Sequence, residues 1–236
     1  MDKKKILILG ASSDIGVMTV HKFIEKDWIV IAHYNQNAKK LKKINNTNLK
    51  LFKFDLRKIN NFDKFVSNHK IFGNIDSFIS LTGYLKPIDF LKINLKNLND
   101  HINVNYLSNI IVMKKVLPIM KKRKFGRILL CSSVGVKFGG SQNSIIYSLT
   151  KHMNEFFFTS FKEFFKENVL INTIRIGVTD TKIHRKKGVK DLKKRINLIP
   201  MRRIAKPSEM AEYLYFYASE KNSFTTKSII EATGGE

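Results

Sequence analysis

Ile6-Leu7-Ile8-Leu9-Gly10-Ala11-Ser12-Ser13-Asp14-Ile15-Gly16 decides how this chain folds. Four consecutive apolar residues stop at a Gly/Ser turn, the pattern of a strand buried on both faces of a parallel sheet. Apolar residues then recur at Ile15, Met18, Phe23 and Ile24, a helical spacing that carries the next element to Lys26. A strand that turns tightly into a helix offers backbone N–H groups at the helix N-terminus, where a pyrophosphate binds. Gly10 and Gly16 supply the turn and the close helix–strand approach. The spacing G-x-x-x-D-x-G is one residue longer than G-x-G-x-x-G, and a Gly/Ser turn can also serve only as a helix cap.

Working outward, further strands are read at Trp28–Ala32, Leu49–Phe54, Ser77–Ser80, Arg127–Ser132, Leu170–Arg175 and Ser228–Ala232. Helical patterns cover Lys58–Asn68, Leu98–Met120, Ser144–Asn168 and Pro207–Ala218, with Pro118 expected to bend or end the second of these. The stretch from Arg175 to Met201 reads as irregular. Strands alternating with helices predict an α/β fold: one doubly wound parallel sheet of about seven strands with helices on both faces. No linker or repeat divides the chain, so residues 1–236 are expected to form a single domain.

Hydrophobic residues make up 43% of the chain, enough for a substantial core and too many for a disordered one. Cys131 is the sole cysteine, which excludes an internal disulfide and fits a reducing compartment. The apolar run Ile6–Leu9 is too short for a signal peptide, and no stretch is long enough to cross a bilayer. A cytoplasmic protein without a membrane partner is expected. The net charge of +24 would attract anions, yet most lysines are scattered over predicted surfaces, as compositional bias would leave them. Residues 182–203 are denser: ten Lys/Arg against Asp191 alone. That segment reads either as a solvated loop or as a contact for an anionic substrate.

A carboxylate at the end of the second strand would hold the ribose hydroxyls of NAD and repel a 2′-phosphate. Here the strand ends Ala32-His33-Tyr34-Asn35-Gln36, with Lys39 and Lys40 following. Neutral groups beside lysines favour NADP over NAD, although both lysines could be ordinary surface residues. Asp55, ending the third strand, could accept from an adenine amino group or cap the next helix. In the segment Tyr147-Ser148-Leu149-Thr150-Lys151, a spacing of four puts Tyr147 and Lys151 on one helix face. A phenol with a reference pKa of about 10 is poorly matched to proton transfer at neutral pH, and a nearby ammonium would lower it.

Taken in order, G10-x-x-x-D-x-G16, Asp55-Leu56, Val104-Asn105, Ser132-Ser133, Y147-x-x-x-K151 and Arg175-x-Gly177 make the chain resemble a short-chain dehydrogenase/reductase over its full length. The stretch from Pro207-Ser208-Glu209 to Gly234-Gly235 adds to the likeness, which is to the broad group that includes the 3-oxoacyl-carrier-protein reductases. The resemblance implies a Rossmann-like fold and interconversion of a carbonyl and an alcohol with NADP, or NAD. It implies Tyr147 as general acid or base, Lys151 as the group that lowers its pKa and binds ribose, and a serine that polarises the carbonyl. Ser133, 14 residues before Tyr147, is favoured for that serine and Ser132 is the alternative. Asn105 would hold a relay water near Lys151, or else bond to backbone as a helix-interior residue.

Cofactor contacts are expected from Gly10, Ser12, Ser13, Asp14, Ile15, Gly16, Tyr34, Asn35, Asp55, Leu56, Gly83, Lys151, Gly177 and Thr179, with no metal. The sequence departs from the family's pattern at Ser80-Leu81-Thr82-Gly83, where Asn-Asn-Ala-Gly is usual, and at Ile176, where proline is usual. Six phenylalanines between Phe156 and Phe165 cannot share one stripe, and the family buries the matching helix against a second subunit. A homodimer or homotetramer acting on a small carbonyl substrate, anionic ones such as an acyl carrier thioester or nucleotide sugar included, is the resulting expectation. A nucleic-acid binder and a catalytically silent cofactor-binding relative are the competing classes. The first lacks a helix-turn-helix or RNP-like motif; the second is opposed by the retained Tyr147, Lys151 and Asn105.

Overall fold

A computed structural model describes residues 3–157, 159–182 and 189–236. Seven strands form one parallel sheet in the order β3-β2-β1-β4-β5-β6-β7. They are β1 Lys5–Leu9, β2 Ile29–Tyr34, β3 Leu49–Lys53, β4 Ser77–Ser80, β5 Gly126–Ser133, β6 Val169–Ile176 and β7 Ile229–Ala232. Ile6 pairs with Val30 on one side and Ser77 on the other, so β1 lies between β2 and β4. Strand order reverses between β1 and β4, which opens a crevice at their carboxyl ends.

The two-residue alternation of the strands builds two cores. Ile6 and Ile8 pack with Val20 and Phe23 of α1 (Asp14–Glu25) and with Met210 and Leu214 of the last helix, Pro207–Tyr217. Leu7 and Leu9 enter the opposite cluster, with Phe62 and Val66 of α3 (Ile59–Asn68) and Val112 and Val116 of α5 (Ser108–Arg123). The single turn Lys39–Lys42 between them in sequence is α2. Phe23 sets its ring edge-on at 5.2 Å from both Trp28 and Tyr215.

Two long helical readings are corrected. The pattern expected at Leu98–Met120 is α4 (Leu95–Ile102), a wide turn at Asn103–Leu107, and α5, which runs through Pro118 to Arg123. The expected Ser144–Asn168 helix is α6 (Ile145–Met153) and the short α7 (Lys162–Phe165). The break has a cause: Asn154 and Glu155 turn inward to β6. Thr173 donates to the Asn154 carbonyl at 2.6 Å, and Arg175 grips Glu155 through two hydrogen bonds of 2.8 Å. Phe157, Phe161, Phe164 and Phe165 then pack on the second core while Phe156 is exposed; Phe158 lies outside the described residues. The stretch read as irregular before Met201 contains α8 (Val189–Leu198), leaving Pro207–Tyr217 as α9.

Candidate active site

The turn after β1 is held by its own glycines. Gly10 has φ +75°, and a Cβ there would lie 2.8 Å from the Leu81 carbonyl oxygen; a Cβ on Gly16 would lie 2.6 Å from that of Ala11. Ser13 caps α1, accepting from the Gly16 N–H at 3.0 Å and donating to the Gly10 carbonyl at 3.0 Å. Its hydroxyl is therefore committed to the turn. The backbone N–H groups of Ser12 and Ile15 donate to no group among the described residues, so an anion can be received there. Asp14 accepts from Lys40 Nζ at 2.6 Å and from the Lys182 N–H at 2.8 Å.

His33 braces this turn from beneath. Its Nδ1 accepts from the Gly10 N–H at 3.1 Å and its Nε2 faces the Phe54 carbonyl at 3.0 Å, which fixes the proton on Nε2. Burial pushes its pKa down to about 4, against a smaller upward pull from Phe54 and Asp55. The side chain is neutral at physiological pH.

Beside the end of β2, a shallow depression of about 560 Å³ is lined by Tyr34, Gln36, Asn37, Lys39, Lys42, Lys43 and Lys53, with no acid among them. Of the two lysines singled out in the sequence, Lys39 faces this depression and Lys40 is spent on Asp14. Asn35, half-buried, follows Tyr34 at the same strand end. Asp55 does not cap α3 with its carboxylate. It is bound by Arg57, at 2.6 Å from Nη2, and that guanidinium draws its pKa down. Leu56 is buried beside it.

A larger cleft of about 910 Å³ opens at the carboxyl ends of β5 and β6. Gly83, Ser133, Tyr147 and Gly177 line it, with apolar walls from Leu85, Pro87, Val134, Phe138, Val178 and Leu198. Lys151, only 3% exposed, donates to the carbonyls of Thr82 at 2.6 Å and Cys131 at 2.8 Å. Its ammonium lies 5.8 Å from the centre of the Tyr147 ring. Burial pulls the Lys151 pKa down to about 8 and pushes Tyr147 up to about 12; the neighbouring Ser133 hydroxyl draws Tyr147 the other way by less. Tyr147 is therefore a neutral phenol at physiological pH, ready to give a proton rather than take one.

Successive strand residues face opposite sides, and this separates the two serines. Ser132 donates to Glu155 at 2.6 Å, away from the cleft, while Ser133 meets Tyr147. Asn105, fully buried, clamps the loop after β4 to α6: its Oδ1 accepts from the Tyr84 N–H at 2.7 Å, and its Nδ2 donates to the Tyr84 carbonyl and to Thr150 Oγ1. Its carbonyl accepts from the Asn109 and Asn154 amides, both at 3.0 Å. The structure thus brings Asn105 to α6 as a brace made by backbone and side-chain bonds.

The residues that depart from the family's pattern at Ser80–Gly83 are bonded into the site's surroundings. Ser80 bonds Thr82 and Asn109, and the Thr82 carbonyl is the Lys151 acceptor. Gly177 passes so close to β7 that a Cβ would lie 2.7 Å from the Thr233 Cα, and Thr179 donates to the Gly177 carbonyl at 3.0 Å. Sequence reasoning missed the Thr82 and Cys131 carbonyls, His33, Lys42, Lys43, Lys53, and a pair in the cleft wall, Arg195 and Glu236. Only the lysines left a signal, a basic cluster after β2; the others are joined by contacts distant in sequence. Of the basic segment, residues 183–188 lie outside the described residues; Arg202 binds the Asn197 carbonyl and Arg203 binds Glu209. No group of side chains suited to a metal ion occurs among the described residues, and none of their helices is long and apolar enough to cross a membrane.

A family model described as enoyl-(acyl carrier protein) reductase matches residues 10–236. The chain is 27% identical to the 3-oxoacyl-[acyl-carrier-protein] reductase FabG of Buchnera aphidicola subsp. Schizaphis graminum, over 100% of this chain and 98% of that protein. It is 26% identical to the oxidoreductase YmfI of Bacillus subtilis, over 98% of both. Among solved structures, a 3-oxoacyl (acyl-carrier-protein) reductase of Agrobacterium tumefaciens with NADP bound superposes with a TM-score of 0.87 at 22% identity, covering 99% of this chain and 94% of that one. ElxO with NADP bound gives 0.85 at 24% identity, covering 99% and 98%.

Proposed function

The chain belongs to the short-chain dehydrogenase/reductase family of oxidoreductases, and on that premise we propose that residues 1–236 work as one unit reducing a carbonyl to an alcohol with NADPH. The observation that carries the reading is the meeting of the Tyr147 and Ser133 hydroxyls, beside the buried Lys151 ammonium, in one cleft at the strand ends. NADPH, when bound, supplies the hydride.

The remaining work falls to the chain. The Ser133 hydroxyl donates a hydrogen bond to the carbonyl oxygen of the substrate, and Tyr147 Oη transfers its proton to that oxygen as it gains charge. The raised phenol pKa suits the reductive direction, because the acid is loaded at neutral pH. Lys151 has two of its three N–H groups bound to carbonyls; the third serves a ribose hydroxyl and steadies the phenolate that Tyr147 becomes. Asn105 is a positioning residue, holding α6 against the loop that carries Gly83.

Cofactor binding is assigned to the turn Gly10–Gly16, where Ser12 and Ile15 offer N–H groups to the pyrophosphate, and to Tyr34, Asn35, Asp55, Leu56, Gly83, Gly177 and Thr179. The four lysines of the depression beside β2 suit a 2′-phosphate, which supports NADP over NAD. Exposed Ile145, Leu149 and Phe156 on and just after α6 support burial of that face in a homodimer or homotetramer. The free, buried Cys131 fits a cytoplasmic setting.

The test is a titration with NADPH and NADH, followed by nicotinamide fluorescence, on the wild type and Tyr147→Phe. NADPH is expected to bind both proteins and NADH more weakly. Reduction of an acetoacetyl thioester is expected to fall on the order of 10³-fold in Tyr147→Phe. Failure to bind NADPH would overturn the site, and full turnover by Tyr147→Phe would overturn the mechanism.

A further inference from the structure

Behind the floor of the cleft lies a buried carboxylate that the reduction does not touch. The Glu155 side chain is 2% exposed. Ser132 Oγ donates to its Oε1 at 2.6 Å, Arg175 donates through Nε to Oε1 and through Nη2 to Oε2, both at 2.8 Å, and His152 Nδ1 lies 3.2 Å from Oε2. Burial alone would push the carboxyl pKa up, yet the hydrogen bonds from Arg175 and Ser132 hold it below the usual carboxylate value, so the group is charged. Its partners come from three elements, β5, β6 and α6. Each is the immediate chain neighbour of a group of the site: Ser133 follows Ser132, Ile176 and Gly177 follow Arg175, and Lys151 precedes His152. Adjacent strand residues point to opposite sides, so Glu155 grips from behind the residues whose neighbours face the cleft. The grip continues outward. Arg175 Nη1 binds Glu231 at 2.8 Å, and Lys137, from the loop that brings Val134 and Phe138 to the cleft wall, binds Glu231 at 2.9 Å.

We propose that Glu155 is a positioning residue for the proton transfer, holding the ends of β5 and β6 and the last turn of α6 together so that Ser133 and Tyr147 meet beside Lys151. No single partner carries this. Without Ser132 the carboxylate stays in the Arg175 fork. Without Glu155 all three elements are released, and the Arg175 guanidinium, 18% exposed, loses both of its bonds to the carboxylate. The inference rests on the carbonyl-reductase reading for the reaction that is positioned, and on the geometry alone for the positioning.

The variants are Glu155→Gln, Glu155→Ala and the control Ser132→Ala, each assayed below its melting temperature for reduction of an acetoacetyl thioester at saturating NADPH. Glu155→Gln should lose kcat about tenfold and Glu155→Ala on the order of 10²-fold, the effect of a small misplacement of reacting groups, with the KM for NADPH within about twofold of wild type. Ser132→Ala should keep its kcat. A merely structural carboxylate would lower the melting temperature and leave kcat per folded molecule as it was. An NMR titration gives a reading that needs no turnover. In protein isotope-labelled at tyrosine Cζ, the Tyr147 signal, assigned by its loss in Tyr147→Phe, reports the phenol pKa. Burial holds that pKa at about 12, against Ser133 and with Cys131; in Glu155→Ala water reaches the loosened α6, and the pKa should fall by about one unit or more. Wild-type kcat in folded Glu155→Gln, or a KM for NADPH that rises as far as kcat falls, overturns the positioning role and leaves the reductase intact. A wild type that turns over no ketone, with the Tyr147 shift present in Glu155→Ala, overturns the reductase reading and leaves the positioning of Tyr147 standing; absence of the shift there overturns both. If neither Glu155 variant folds, Arg175→Lys, which keeps the charge without the fork, should show the same loss of kcat at unchanged KM, and wild-type kcat in it overturns the inference.

Discussion

Protonating His33 should loosen the protein and its phosphate turn together. The imidazole is 3% exposed and must be neutral to accept from the Gly10 N–H. Its pKa falls from 6.5 to about 4 on folding, with burial as the main cause. A depressed histidine contributes fully above its unfolded pKa, and that contribution is lost as pH falls from 6.5 toward 4, where the unfolded chain binds the proton and the folded one does not. Integrated from pH 7.5 to pH 5, the loss is about 2 kcal/mol, and by pH 4 about 3 kcal/mol. Carboxylates add their own acid dependence, so the assay is a difference. Urea unfolding of the wild type and His33→Gln is measured at pH 7.5 and pH 5, and the stability gap between them should shrink by about 2 kcal/mol. A gap that stays constant would refute the argument. If His33→Gln does not fold, an NMR titration of the wild-type imidazole decides, and a pKa above 6 would refute it equally.

Ser133→Ala should lower kcat on the order of 10²-fold with little change in melting temperature. Ser132→Ala should do the reverse, keeping turnover and losing about 1–2 kcal/mol by taking a donor from buried Glu155; steady-state rates and denaturant unfolding separate the two. Replacing Lys39, Lys42 and Lys43 together by alanine should raise the KM for NADPH about tenfold and leave that for NADH nearly unchanged, in proportion to exposed charges of modest individual strength. Phe23→Ala should cost about 3–5 kcal/mol in chemical denaturation, because it empties the space between Trp28 and Tyr215.

The sheet was legible where a strand is a short apolar run closed by a turn, as Ile6–Leu9 is. The placement of Tyr147 and Lys151 on one helix and the tight first turn at Gly10 and Gly16 were legible because local spacing carries them. What escaped depends on partners far along the chain. The helix expected through Asn168 stops after Met153 because Glu155 is claimed by Arg175, and no periodicity within the helix announces that. The dense basic composition of α8 masks the helical spacing of Val189, Leu192 and Ile196, and its Arg195 finds Glu236 only once the last turn of the chain folds back. The choice between Ser132 and Ser133 needed the strand's direction at its final residues, which a one-residue error would invert. Pro118 was expected to bend or end its helix, yet α5 continues to Arg123.

Lys151 serves the scaffold as well as the proposed proton transfer. By holding the carbonyls of Thr82 and Cys131, it ties the end of β5 to the loop just past β4, and its removal would strand two acceptors in the interior. A descendant of this protein that abandoned turnover would still be selected to keep the ammonium, for the sake of folding. The Tyr147 hydroxyl has no comparable obligation to the scaffold and could drift. On the proposed mechanism, therefore, a retained lysine alone does not mark an active enzyme, and the phenol is the residue to look for.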